Sequence, residues 1–112
     1  VYEMRQDAEG VWHYYANDVI AADYCGMACN EYGWWYIQNG DVNFTYTGMA
    51  CNEYGWWYFN NGYLDMNYTG IASNEYGSWY YRNGTIAYDY SGTVEDTYSG
   101  KIYTVQNGLV IA

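Results

Sequence analysis

At 112 residues and a formal net charge of -10, with 3 Lys and Arg against 13 Asp and Glu, the chain is long enough for one compact domain and too short for two, and its field repels nucleic acid and other polyanions. Aromatic residues make up 23% of it, which argues against disorder because such a chain has large rigid side chains to bury. No run approaches the length of a membrane span, so membrane insertion is not expected, and the start Val1-Tyr2-Glu3-Met4-Arg5 lacks the basic-then-apolar layout of a secretion signal; the chain reads as a soluble segment of a longer protein.

Self-similarity organises the rest. Gly26, Gly48, Gly70 and Gly92 stand 22 residues apart with matching text between them, the signature of a repeat array. In chain order the sequence predicts one repeat domain over 1–112. A degenerate copy covers about 8–25 and contains Trp12-His13-Tyr14-Tyr15-Ala16-Asn17-Asp18; clean copies cover 26–47, 48–69 and 70–91; a second degenerate copy covers 92–112, with Tyr103-Thr104-Val105-Gln106-Asn107-Gly108. Asn39-Gly40, Asn61-Gly62, Asn83-Gly84 and Asn107-Gly108 are hairpin signals, because a type I′ turn needs positive φ at both central residues. A two-residue loop at 39–40 makes 38 face 41, 37 face 42, 36 face 43 and 35 face 44.

That register sorts the side chains. Trp35, Ile37, Val42, Phe44 and Tyr46 fall on one face, with Trp57, Phe59, Leu64, Met66 and Tyr68, then Trp79, Tyr81, Ile86, Tyr88 and Tyr90, in the following copies. This is the expected core face. The other face carries Trp34, Tyr36, Gln38, Asp41, Asn43 and Thr45 and is expected to meet water or ligand. The Asn-Glu-Tyr-Gly stretches ending at Gly33, Gly55 and Gly77 read as connections between hairpins. Because a lone hairpin is marginal, the units must stack, and the expected fold is all-β: a solenoid-like stack of about five hairpins.

The segment from Thr47 to Gly62, Thr-Gly-Met-Ala-Cys-Asn-Glu-Tyr-Gly-Trp-Trp-Tyr-Phe-Asn-Asn-Gly, resembles the aromatic repeats of Gram-positive cell-surface proteins and is similar to the choline-binding and glucan-binding repeat families. The likeness spans about Trp12 to Gly108. It implies hairpins stacked into a superhelix, with aromatic residues of adjoining repeats forming cages for choline on teichoic acid or platforms for glucan, and an extracellular, secreted or cell-surface setting. The family's Trp-Tyr corresponds to Trp35-Tyr36, Trp57-Tyr58 and Trp79-Tyr80. Choline-binding repeats place Trp directly after the connecting Gly, whereas this chain has Met27, Met49 and Ile71 there, so the expected cage lacks one wall.

Ring faces attract cations, and Glu31 and Glu53 beside the Trp pairs add a charge of the right sign; the same rings also suit sugar faces or protein partners. The expected contacts are Trp34, Tyr36, Trp56, Tyr58, Glu31 and Glu53, set against packing of the same rings between hairpins. Position 34 is favoured because Trp12 and Trp56 keep the ring while Ser78 drops it, which a ring needed for packing would less readily do. Non-catalytic attachment to a cell-wall polymer or other glycan is the first expectation. Adhesion to a host surface protein, such as an immunoglobulin or mucin component, is the second, and a passive spacer the third. No enzyme is expected: His13 is the only histidine and aligns with the core-face tryptophans, and identical repeats do not supply the unlike carboxylates a glycosidase uses. No cofactor or metal is expected, since Cys25, Cys29 and Cys51 lack zinc spacing. These cysteines read as small, at least half-buried side chains, with a Cys29–Cys51 or Cys25–Cys29 bridge as the alternative.

Overall fold

The computed structural model describes residues 2–112, and they are all strand, turn and loop with no helix. Five units follow one another along an elongated body of 50 × 24 × 21 Å. Each is a long antiparallel hairpin followed by a short third strand: β1 (Tyr2–Gln6), β2 (Trp12–Ala16), β3 (Val19–Ile20); β4 (Gly26–Asn30), β5 (Gly33–Gln38), β6 (Asp41–Val42); β7 (Gly48–Asn52), β8 (Gly55–Asn60), β9 (Tyr63–Leu64); β10 (Gly70–Asn74), β11 (Gly77–Arg82), β12 (Thr85–Ile86); β13 (Gly92–Glu95), β14 (Ile102–Gln106), β15 (Leu109–Val110). The expected all-β stack of hairpin repeats is what forms.

The Asn-Gly turns are where the sequence puts them. Asn39 and Gly40 have φ of 54° and 82°, with near-identical values at 61–62, 83–84 and 107–108. Ile37 pairs with Val42 and Gln38 with Asp41. The strand after the turn is two residues long, however, because Asn43 bends the chain out of the sheet: its Oδ1 accepts hydrogen bonds from the Thr45 N–H at 3.0 Å and the Thr45 hydroxyl at 2.7 Å. The alternation of faces therefore stops at 42, and Phe44, Met66 and Tyr88, expected in the core, are 61%, 45% and 57% exposed.

The longer hairpin of each copy closes at the other end. Cys29 pairs with Trp34 and Asn30 with Gly33 across the two-residue turn Glu31-Tyr32, and Asn52 with Gly55 and Asn74 with Gly77 likewise. The Asn-Glu-Tyr-Gly stretches are thus hairpin tips rather than connections between hairpins. Asparagine fits the first position because its side chain holds two donors at once. Asn30 Oδ1 accepts from the Tyr32 N–H and the Trp35 indole N–H, both at 2.9 Å, and Asn52 and Asn74 hold Trp57 and Trp79 in the same way.

Stacking of units rests on tyrosine pairs. The linker tyrosine folds back on the tyrosine of its own hairpin: Tyr24 on Tyr14 with ring centroids 4.1 Å apart, Tyr46 on Tyr36 at 3.8 Å, Tyr68 on Tyr58 at 3.7 Å and Tyr90 on Tyr80 at 5.2 Å. Each linker hydroxyl donates to a carbonyl three residues on, Met27, Met49, Ile71 and Thr93. Against each of the first three pairs the next unit inserts a fully buried side chain: Ile37, Phe59 and Tyr81, each 0% exposed. Val105 holds the same place in the fifth unit. Burial of one such side chain is worth about 1.5–3 kcal/mol, so these knobs carry much of the cohesion between neighbours.

Backbone bonds bind the units along the same line. Tyr36 N–H donates to the Gly62 carbonyl and Gly62 N–H to the Tyr46 carbonyl, both at 2.8 Å. A nine-stranded sheet spans β1 to β9 and a six-stranded sheet spans β10 to β15. The break falls between β8 and β12, although β5 pairs with β9 and β11 with β15.

Cys25, Cys29 and Cys51 are all exposed and unbridged. They are not small core residues: Cys29 in β4 is exposed although Met27 and Ala28 just before it are buried.

Candidate functional site

An apolar groove of about 500 Å³ opens between the first and second units. Trp12 of the first hairpin forms one wall and Tyr32, at the tip of the second, faces it edge-on at 6.2 Å. Trp35, fixed by Asn30, forms the floor, with Phe44 edge-on to it at 5.9 Å. Tyr63 and Met4 complete the lining.

The same groove recurs one repeat on. Between the second and third units, Trp34, Tyr54, Trp57, Leu64 and Met66 surround a space of about 460 Å³, and each stands 22 residues after Trp12, Tyr32, Trp35, Val42 and Phe44. At the third junction Trp56 meets Tyr76 at 6.2 Å and Trp79 meets Tyr88 at 6.1 Å. The series ends at the fourth junction, where Ser78 replaces the tryptophan wall and bonds Ser73 at 2.7 Å.

The candidate residues read from the sequence therefore divide. Trp34 and Trp56 are groove walls. Tyr36 and Tyr58 lie half-buried in the tyrosine pairs, beside Phe59 and Tyr81. Glu31 and Glu53 are exposed at hairpin tips, and Glu53 joins Trp34, Asn52 and Cys29 along a smaller cleft of about 300 Å³. The residues that sequence reasoning missed are the tip tyrosines Tyr32, Tyr54 and Tyr76, together with Phe44. A tyrosine in every Asn-Glu-Tyr-Gly tip was the available signal, hidden while those stretches were read as connectors. Met27 and Met49, which stand directly after the connecting Gly, are buried, while Trp12 and Trp34 line the grooves from a different strand.

The first junction carries charge as well. His13, in the place of Trp35, bonds Asp7 through Nε2 at 2.8 Å and Asp41 of the next unit through Nδ1 at 2.5 Å. Asp7 also accepts the N–H groups of Glu9 and Val11, so it holds tip and ring as Asn30 does. The hydrogen bonds to Asp7 and Asp41 raise the pKa of His13, and the bond from His13 with those from the backbone lowers that of Asp7. A raised histidine contributes stability that is complete below its unfolded value, about 6.5, and disappears as pH rises through its folded value. A depressed carboxylate contributes above its unfolded value and loses the contribution as pH falls through its folded value. The expected result is a melting temperature that falls as pH rises from about 6.5 through the raised folded-state value of His13, and a His13→Gln protein with a smaller fall. Identical slopes in differential scanning calorimetry would show that the clasp does not couple to folding.

Among the described residues no three His, Cys, Asp or Glu side chains come together in a way that could hold a metal ion. A family model for the choline-binding repeat matches residues 23–43, 45–65 and 67–87. No curated protein and no solved structure gave a match.

Proposed function

Because the chain belongs to the choline-binding repeat family, whose model matches more than half of it, we propose that it is a non-catalytic attachment module of a secreted or surface-displayed bacterial protein. Its grooves hold the quaternary ammonium groups of a choline-bearing cell-wall polymer. The observation that carries this reading is the repetition of one aromatic groove at two successive junctions, lined by Trp12 and Tyr32 and then by Trp34 and Tyr54, with the Trp56–Tyr76 contact repeating the pairing at the third.

The chemistry supports a soft cation. A trimethylammonium group has no N–H to donate, so it suits ring faces and thioethers rather than a carboxylate clamp, and each well-placed ring contributes about 0.5–2 kcal/mol. The net charge of -10 draws cations toward the body at long range, and Glu31 and Glu53 are exposed at the hairpin tips, next in the chain to Tyr32 and Tyr54.

Titration calorimetry with choline chloride tests the reading. Saturable binding at up to three sites per chain is expected. Trp34→Ala is expected to weaken the middle groove about 5- to 30-fold, the equivalent of 1–2 kcal/mol, and to leave the outer grooves unchanged. Absence of choline binding, combined with retention on choline-free glucan, would instead assign the rings to sugar stacking.

A further inference from the structure

The junctions share a tryptophan wall, a tip tyrosine and a tryptophan floor and differ at 42, 64 and 86, at 44, 66 and 88, and at the first residue after the Asn-Gly turn of the unit beyond. That residue is Tyr63 for the first groove, Thr85 for the second and Leu109 for the third. Tyr63 is the Cα partner of Trp35, and Leu109 that of Trp79. No such pair joins Thr85 to Trp57, and this is where the two sheets part.

Tyr63 adds a wall that the other grooves lack. Its ring lies 4.6 Å from that of Trp35, and its hydroxyl donates to the Tyr32 carbonyl at 2.6 Å. It thereby fixes the tip whose tyrosine faces Trp12. The glycine that opens each second strand reports how full the space is. A Cβ on Gly33 would stand 2.5 Å from the Tyr63 hydroxyl and one on Gly77 would stand 3.2 Å from Leu109 Cδ1, while one on Gly55 would meet nothing within 4 Å. The tip tyrosines follow the same order: Tyr32 is 64% exposed, Tyr76 71% and Tyr54 79%.

We propose that the residue at 63, 85 and 109 determines groove specificity, and that Tyr63 makes the first groove the tightest quaternary-ammonium site of the chain and the second groove the weakest. The inference rests on the reading that the grooves hold such cations, and it deepens that reading by ranking them. An additional ring facing the cation strengthens binding, while a tip held by its carbonyl loses less freedom when the ligand arrives. Thr85 offers neither the ring nor the tether.

Reciprocal substitutions test this on the full chain, titrated with choline chloride and monitored for fold by far-ultraviolet circular dichroism. Wild type should show a tight site and weaker ones. Tyr63→Thr should weaken the tight site about 2- to 30-fold and leave the others in place. Thr85→Tyr, entering the open space beside Gly55, should convert the second groove into a tight site, and this gain keeps the test decisive if Tyr63→Thr disturbs folding. Tyr63→Phe should fall between wild type and Tyr63→Thr, because it keeps the ring and loses the tether. Choline binding that is equal at all sites and indifferent to both exchanges overturns the ranking alone. No binding by wild type overturns the parent reading and the ranking with it.

Discussion

Replacing Phe59 by alanine is expected to cost about 3–5 kcal/mol, the range for deleting a buried phenylalanine. Phe59 is 0% exposed and packs with Met27 and Ala50 against the Tyr36–Tyr46 pair, its ring 6.1 Å from that of Tyr36. The tyrosine pair cannot collapse to fill the space, since Tyr46 is tied through its hydroxyl to the Met49 carbonyl and its own carbonyl accepts the Gly62 N–H. The cavity term therefore adds to the lost transfer energy. In a stack whose units touch only their neighbours, a fault in the third of five units separates the array into two shorter pieces. Urea unfolding should show a lower midpoint and a broader or two-step transition. Phe44→Ala, at a ring 61% exposed, should move the midpoint far less. Equal losses for Phe44 and Phe59 would mean that the tyrosine-pair packing does not hold the units together.

Gly62→Ala is expected to be nearly as damaging, at about 2–5 kcal/mol when the left-handed backbone cost and overpacking are combined. Gly62 has φ of 82°, and a Cβ there would lie 2.3 Å from the Asn43 carbonyl oxygen and 3.1 Å from Phe44 Cα. Both neighbours are backbone, so no side chain can swing aside. The hydrogen bonds from Gly62 to Tyr46 and from Tyr36 to Gly62 are the fastening between the second and third units, so the strain falls on the joint itself. Hydrogen exchange should show the Tyr36 amide losing protection before amides in the outer units. Gly55→Ala supplies the control: it has φ of 134° but nothing within 4 Å, so it carries backbone strain without a collision. If the two substitutions cost the same, the close approach of Gly62 to Asn43 has no energetic consequence.

Much of this architecture was legible in the residues, and the losses have identifiable causes. The period of 22, the Asn-Gly turns and the inward set Ile37, Phe59 and Tyr81 follow from local rules: positive φ, alternation across a strand, and repetition. Alternation misled once the strand stopped. Phe44, Met66 and Tyr88 keep the pattern of a core face, but the chain bends just before each of them, through side-chain hydrogen bonds to Asn43 and Asp65 and a backbone turn at Ala87, and periodicity does not register the bend. Tyr36 and Tyr58 were read as outward because a single hairpin has an inside and an outside; in the stack, the linker tyrosine folds back over that second face and covers it. For the site, replacement of tryptophan by Ser78 points to Trp34 and Trp56, and the fold places Trp34 in a groove lining and Trp56 against Tyr76. The tip tyrosines recur in every Asn-Glu-Tyr-Gly stretch, but their part in the groove is visible only once those stretches are hairpin tips, because a turn side chain meets the neighbouring hairpin and not its own strand.

The tyrosine pairs have one more consequence. Since Ile37, Phe59 and Tyr81 each lodge only in the unit before, any excision or duplication of a whole 22-residue copy returns every lodged ring or aliphatic chain to a matching seat, while an unequal cut of one residue flips the strand and exposes it. Chain length can thus change by recombination in fixed quanta, each bringing its own variable wall, so the number and strength of grooves can be altered without redesigning any of them.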